Sequence, residues 1–149
     1  MSAALKLARP EDLDRLMGLV AAFHAEAGIE QDSDHRRSAL APLLEGIPHG
    51  CVYLIGPARA PLGYAILTFG WSVEFGGMDA FIDEIYIRPA VRGRGIATEV
   101  LLDLPKALAG AGLTALHLEV DRTNETAQRL YLRTGFKPRD RYVLMSKKL

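Results

Sequence analysis

Apolar and polar positions change period along this chain, and the changes mark its elements. Leu5 and Leu7 flank Lys6, a short alternating stretch that predicts a first strand. From Pro10 the period lengthens. Leu13, Leu16, Met17, Val20, Ala21 and Phe23 or His24 recur at helical spacing, with Glu11, Asp12 and Asp14 in the first turn and Gly28 after the last. Asp32, Ser33 and Asp34 offer caps for a second helix through Leu40, Leu43 and Leu44 to Gly46, with Pro42 limiting its regularity. Residues 51–55 and 62–69 are apolar runs separated by Gly56-Pro57 and Pro61, which predicts a hairpin. Residues 72–79, with Gly76-Gly77, read as the next turn, and residues 81–87 as a strand stopped by Pro89.

Helical spacing returns at Ile96, Ala97, Val100, Leu101 and Leu102. Pro105 predicts a kink near residues 101–104 or an early end, and Gly110 and Gly112 finish the element. Residues 116–120 predict a strand with His117 and Glu119 on one face and Leu116, Leu118 and Val120 on the other. Thr123 or Asn124 caps a short helix ending at Gly135, and residues 142–145 predict a last strand. The order βααβββαβαβ is mixed α/β in one domain over residues 1–149, a length typical of a single domain.

Composition narrows the function classes. Eighteen Lys and Arg balance eighteen Asp and Glu, so no basic excess argues for nucleic acid and no polybasic block for a membrane surface. Cys51 is the single cysteine, which excludes a disulfide framework and a cysteine-based metal site; no metal is expected. No apolar run approaches a membrane span, and the acidic N-terminal stretch lacks the apolar core of a signal peptide. A cytoplasmic protein is the expectation, with a homodimer left open.

The chemistry concentrates where the 81–87 strand passes into the third helix. Arg92, Gly93, Arg94 and Gly95 lie in that turn, followed at once by Ile96, Ala97 and Thr98. The first N–H groups of a helix lack internal partners and carry the positive end of its dipole. Glycines let an anion approach the backbone, and arginine charge cannot be titrated away. The turn therefore suits a phosphate or pyrophosphate. A dinucleotide fingerprint fits poorly, because Thr98 occupies the place of the third glycine and residues 88–92 intervene after the strand.

Arg92, Gly95 and Ala97, after a strand ending Ile85-Tyr86-Ile87-Arg88-Pro89, resemble the acetyl-CoA motif of the GNAT N-acetyltransferase superfamily. The resemblance continues through Asn124, Tyr131 and Gly135-Phe136. It implies a GNAT fold: a mixed central sheet with a splayed strand pair and helices on both faces. It also implies acetyl-CoA as cosubstrate and a primary amine as acceptor, acetylated by direct attack. The acceptor would be a small amine, an amino acid or a protein amine. A non-catalytic acyl-CoA-binding module is the alternative.

The same resemblance assigns roles. The pantetheine arm would run along Ile85, Tyr86 and Ile87, with the diphosphate on residues 92–98. Asn124 matches a position that contacts the cofactor, although an N-cap explains it as well. Tyr131 matches the general acid for the departing thiolate; its bland reading is a packed ring with a satisfied hydroxyl. Glu84 and Glu119 compete as base, Glu84 being preferred, and either could instead be half of a structural ion pair. Strand alternation puts Asp83 opposite Glu84, so both line one pocket only if the strand is bulged. The acceptor is expected between residues 26–37, which hold Glu26, Glu30, Asp32 and Asp34, and residues 72–79, which hold Glu74 and Asp79. Trp71, Phe75, His24 and His35 are candidates to line that pocket, with packing roles as the plainer reading.

Overall fold

The computed structural model describes residues 3–149. Five strands form one sheet in chain order: β1 (Leu5–Leu7), β2 (Gly50–Ile55), β3 (Gly63–Ser72), β4 (Gly77–Ile87) and β5 (Leu113–Leu118). Strands β1 to β4 are successive antiparallel neighbours, and β5 lies parallel to β4. Helices α1 (Leu13–Ala27) and α2 (Ser33–Leu44) fill the β1–β2 connection, and α3 (Ile96–Ala107) carries the chain from β4 to β5. The chain divides into two compact units at Glu119/Val120, and the second unit holds α4 (Glu125–Arg133). Among the described residues no helix is long and apolar enough to cross a membrane.

Local chemistry sets the helix ends. A 3-10 turn at Pro10–Asp12 leads into α1, and the Asp12 carboxylate accepts the Arg9 N–H at 2.9 Å. Gly28 closes α1 with φ 71°, a conformation that costs other residues more. Asp32 caps α2 by accepting the His35 N–H at 2.7 Å. The α1 stripe of Leu16, Met17, Leu19 and Val20 packs with Leu40 and Leu44 of α2 onto Val52, Leu54, Tyr64, Ile66 and Tyr86. Fully burying a side chain of this size contributes about 1.5–3 kcal/mol. Ile55, Ala65 and Leu67, at the alternate phase of the sheet, are equally buried, and α3 buries Ile96, Val100, Leu101 and Leu104 apart from that first cluster. The sheet is thus covered on both faces, as predicted.

Several boundaries differ from the sequence reading. The turn expected over residues 72–79 shrinks to four residues, because β3 runs to Ser72 and β4 begins at Gly77. Ser72 closes it, accepting the Gly76 N–H at its carbonyl (2.9 Å) and the Phe75 N–H at its hydroxyl (3.0 Å). Helix α3 runs through Pro105, which sits in its closing turn where the missing N–H costs one bond, and the chain leaves the helix at Leu108. Strand β5 occupies Leu113–Leu118, leaving Glu119 and Val120 beyond it. The strand expected over residues 142–145 does not form. Tyr142, Val143, Leu144 and Met145 have strand-forming chemistry but no ladder partner, and all four are exposed.

Candidate active site

Strand β4 is longer than the ladder on its β5 side. Parallel pairing begins at Met78↔Leu113 and stops at Ile82↔Leu118, while β4 runs on to Ile87. The β3 side stays paired throughout, to Gly63↔Ile87. The Arg88 N–H bonds the Leu62 carbonyl at 2.8 Å, which fixes the phase of that antiparallel pair. Tyr86 and Glu84 share the Arg88 phase and turn their backbone groups toward β3. Ile85 and Ile87 turn theirs toward the β5 side, beyond the end of its ladder. This is the splayed strand pair that the family resemblance implied.

At the end of β4 the chain turns through Pro89–Val91 and Arg92 into the glycine turn. Gly93 and Gly95 both have positive φ, 77° and 78°. A side chain at either would meet nothing within 4 Å, so conformation and not crowding calls for glycine, and the space beside the turn is open. Gly95 is the N-cap of α3, so the N–H groups of Ile96, Ala97 and Thr98 have no acceptor inside the helix. Arg92 does not point loosely into solvent. Its Nε donates to the Ile87 carbonyl at 2.8 Å, its Nη2 meets Glu26 at 2.8 Å, and the guanidinium lies 5.5 Å from the Tyr86 ring centre. The bond to Glu26 pushes its pKa further up.

The other chemistry lies one step back along β4. The β3–β4 register passes from Ile66↔Glu84 to Leu67↔Ile82, so Asp83 has no partner and forms a bulge. The bulge cancels the alternation, and Asp83 and Glu84 both line one cleft of about 290 Å³. Val20 and His24 of α1, Ile29 and Gln31, His35, Arg36, Ala39, Leu40 and Leu43 of α2, and Ile66 and Thr68 of β3 complete its walls. Glu84 is held at both oxygens. Oε1 accepts the Tyr64 hydroxyl at 2.7 Å, and Oε2 lies 2.9 Å from His24 Nε2. Burial first, and then the Glu84 charge, push the Tyr64 phenol well above its usual range, so it stays a donor. Asp83 is raised by desolvation, then by the charges of Glu84 and Glu119, with His24 opposing. Glu119, at the end of β5, is thus electrostatically part of the same group of carboxylates.

Three of the six acids expected around the acceptor have partners of their own. Glu26 pairs with Arg92, Asp32 caps α2, and Asp79 bonds His117 at 3.1 Å. No residue of the 72–79 turn lines the cleft. Trp71 and Phe75 are exposed and outside the cleft, and the Phe75 ring meets His117 edge-on at 5.4 Å between ring centres. His35 does line the cleft, and His24 is both packed and part of it. Cys51 is half-buried, and burial raises its thiol pKa. A second depression of about 580 Å³, bounded by Ala21, Ala25, Ile29, Glu30, Gln31, Asp32 and Arg36, is larger but contains neither Asp83 nor Glu84. The smaller cleft is where proton-accepting groups converge. Among the described residues no group of three or more His, Cys, Asp or Glu could hold a metal.

In the second unit Asn124 is the N-cap of α4, its Oδ1 accepting the Ala127 N–H at 3.1 Å. Tyr131 packs against Phe136 at 6.0 Å between ring centres, and burial raises its phenol pKa. Sequence reasoning missed Tyr64 and Arg36. Neither lies in a motif, and only the sheet register and the α2 position bring them to the cleft.

The acetyltransferase (GNAT) family profile matches residues 19–136, which crosses the boundary between the two units. An uncharacterized N-acetyltransferase of Bacillus subtilis (strain 168), YycN, is 41% identical over 71 residues, 48% of this chain and 44% of that protein. The chain spans about half the length of the curated relatives it matches. An integron cassette protein from the mobile metagenome of Cole Harbour Salt Marsh superposes with a TM-score of 0.83 at 29% identity, covering 96% of this chain and 89% of that one. A structure from Clostridium acetobutylicum, described as a predicted acetyltransferase with acetyl-CoA, has a TM-score of 0.77 at 17% identity, covering 96% and 95%, and shares the fold. Motif, splayed strands and family match agree: the chain belongs to the GNAT acetyltransferase family.

Proposed function

We propose that this protein transfers an acetyl group from acetyl-CoA to a primary amine by direct attack. The observation that carries this reading is the break in the β4–β5 ladder after Ile82↔Leu118, beside a glycine turn at a helix N-terminus. Acetyl-CoA would supply the acetyl group as a thioester. The Ile96, Ala97 and Thr98 amides, with Gly93, Arg94 and Gly95, would hold its diphosphate, and Arg92 would add charge once it exchanges Glu26 for phosphate. Backbone groups of Ile85 and Ile87 would bond the pantetheine arm; the Ile87 carbonyl already has Arg92 as a partner, so Ile85 offers the freer pair.

Glu84, with His24 behind it, takes the proton that the incoming ammonium must lose before its nitrogen can attack. Attack at the thioester carbon forms the C–N bond and breaks the C–S bond. Tyr131, kept protonated by burial, gives its proton to the leaving sulfur, and the second proton shed by the acylated nitrogen restores the phenol, so that amide, thiol and Tyr131 all end neutral. Asn124 serves the cofactor side through the helix it caps. Glu119 modulates the group of carboxylates and is the second candidate for base. A cytoplasmic setting belongs to the same proposal. Steady release of free CoA thiol with a panel of primary amines tests it. Tight acetyl-CoA binding with no turnover on any amine would sink it in favour of a binding module.

A further inference from the structure

Among the described residues two buried side-chain atoms lack a hydrogen-bond partner, His24 Nδ1 and Arg36 Nε. Both residues line the same cleft. Buried polar atoms are nearly always satisfied, so two exceptions on residues that line one cavity point to a ligand that supplies what is missing. With Nε2 committed to Glu84, His24 Nδ1 is the ring nitrogen left for a ligand. Arg36 Nε–H is a permanent donor and needs an acceptor, and its charge asks for an anion. Arg36 Nη2 bonds only the Gln31 carbonyl, at 2.9 Å, and no acidic residue pairs with the guanidinium among the described residues. Arg37 and Arg92, by contrast, each hold a carboxylate.

We infer that the acceptor is a small amino-carboxylate, its amine directed to Glu84, Asp83 and His24 and its carboxylate to Arg36. This deepens the acetyl-transfer reading and rests on it. The amine end falls on β4 beside Ile85, where a thioester would lie. His24, Asp83 and Glu84 line the cleft there; behind them Tyr64 bonds Glu84, the Phe23 ring packs near His24 and Tyr86, and the Glu119 charge acts on Asp83. Between the two charged ends the lining is apolar, with Val20, Leu40, Leu43 and Ile66. A cleft of about 290 Å³ is at the small end for ligand sites, which suits an amino acid with an apolar side chain. A diamine would set a second cation against Arg36, and a simple amine would leave the guanidinium N–H unpaired.

Matched acceptors test this. Leucine, leucinamide and isopentylamine share a body and an amine, and only leucine carries the carboxylate; the other standard amino acids extend the series. Turnover is read as CoA release, and binding in the presence of CoA by calorimetry. The wild-type protein should favour the best amino acid over its amide and its decarboxylated amine by about 10–100-fold in kcat/KM, as expected for one charge-assisted contact. Arg36→Gln should collapse that ratio, and Arg36→Lys should keep part of it. Acetyl-CoA affinity of each variant reports that it is folded. If plain amines react and amino acids do not, or if Arg36→Gln leaves the ratio intact, this assignment is overturned while acetyl transfer stands. If amino acids bind in an Arg36-dependent way but no acetyl group moves, the cleft assignment stands and the transfer reading falls. If amino acids neither bind nor react, the assignment is overturned.

Discussion

Glu84 Oε2 lies 2.9 Å from His24 Nε2, although 60 residues separate them in sequence. The contact joins α1 to the strand that would carry the cofactor and holds the carboxylate in place. Glu84→Gln keeps the shape but cannot accept a proton. It should lower kcat/KM by about 10²–10⁴-fold and remove the acidic limb of the pH–rate profile, with a smaller loss for Glu119→Gln. A larger loss at Glu119 would move the base to that residue.

Tyr131→Phe should lower kcat by about 10²–10⁴-fold, with acetyl-CoA affinity nearly unchanged. Single-turnover kinetics on the variant checks it. Full kcat would mean that the thiolate leaves unprotonated or takes its proton from water.

Gly95→Asp should weaken acetyl-CoA binding by about tenfold or more. Its φ of 78° disfavours any side chain, at a cost of about 1–2 kcal/mol, and a carboxylate there repels phosphate. Calorimetry decides it, and unchanged affinity would remove the glycine turn from the site.

Asp83→Asn should stabilise the fold at neutral pH. The carboxyl is raised above its ordinary 3.8 by partial burial and by Glu84 and Glu119, so folding favours its protonated form. Stability therefore falls as pH rises through and above 3.8, and the difference between variant and wild type should vanish below that value. Because Asp83 keeps solvent contact, the gain should be small after screening, about 1–2 °C in Tm at pH 7. Thermal unfolding at pH 3 and pH 7 measures it, and an equal difference at both would rule out the electrostatic cause.

Local signals in the sequence carried the helices, the glycine turn and most of the strands. Pro10, Gly28, Asp32 and Gly95 act on their own few residues, so their effects can be read without neighbours. The Asp83 bulge could not be read that way. Alternation along residues 81–87 is regular, and the extra residue shows only against the β3 register, where Glu84 faces Ile66 and Ile82 faces Leu67. The contacts of Glu84 with Tyr64 and His24 are equally non-local. The strand expected at residues 142–145 failed for the converse reason: Tyr, Val, Leu and Met favour a pleated surface, but a strand exists only through its partner.

The one-sided pairing of β4 beyond Ile82 should be visible in time as well as in space. The amides of Glu84, Tyr86 and Arg88 are tied to β3, whereas those of Ile85 and Ile87 face an edge without a ladder. In deuterated solvent the strand should label as a comb, with every second amide retaining its hydrogen far longer than its neighbours. A ligand lying along that edge would close the gaps, and protection would become continuous from Glu84 to Arg88.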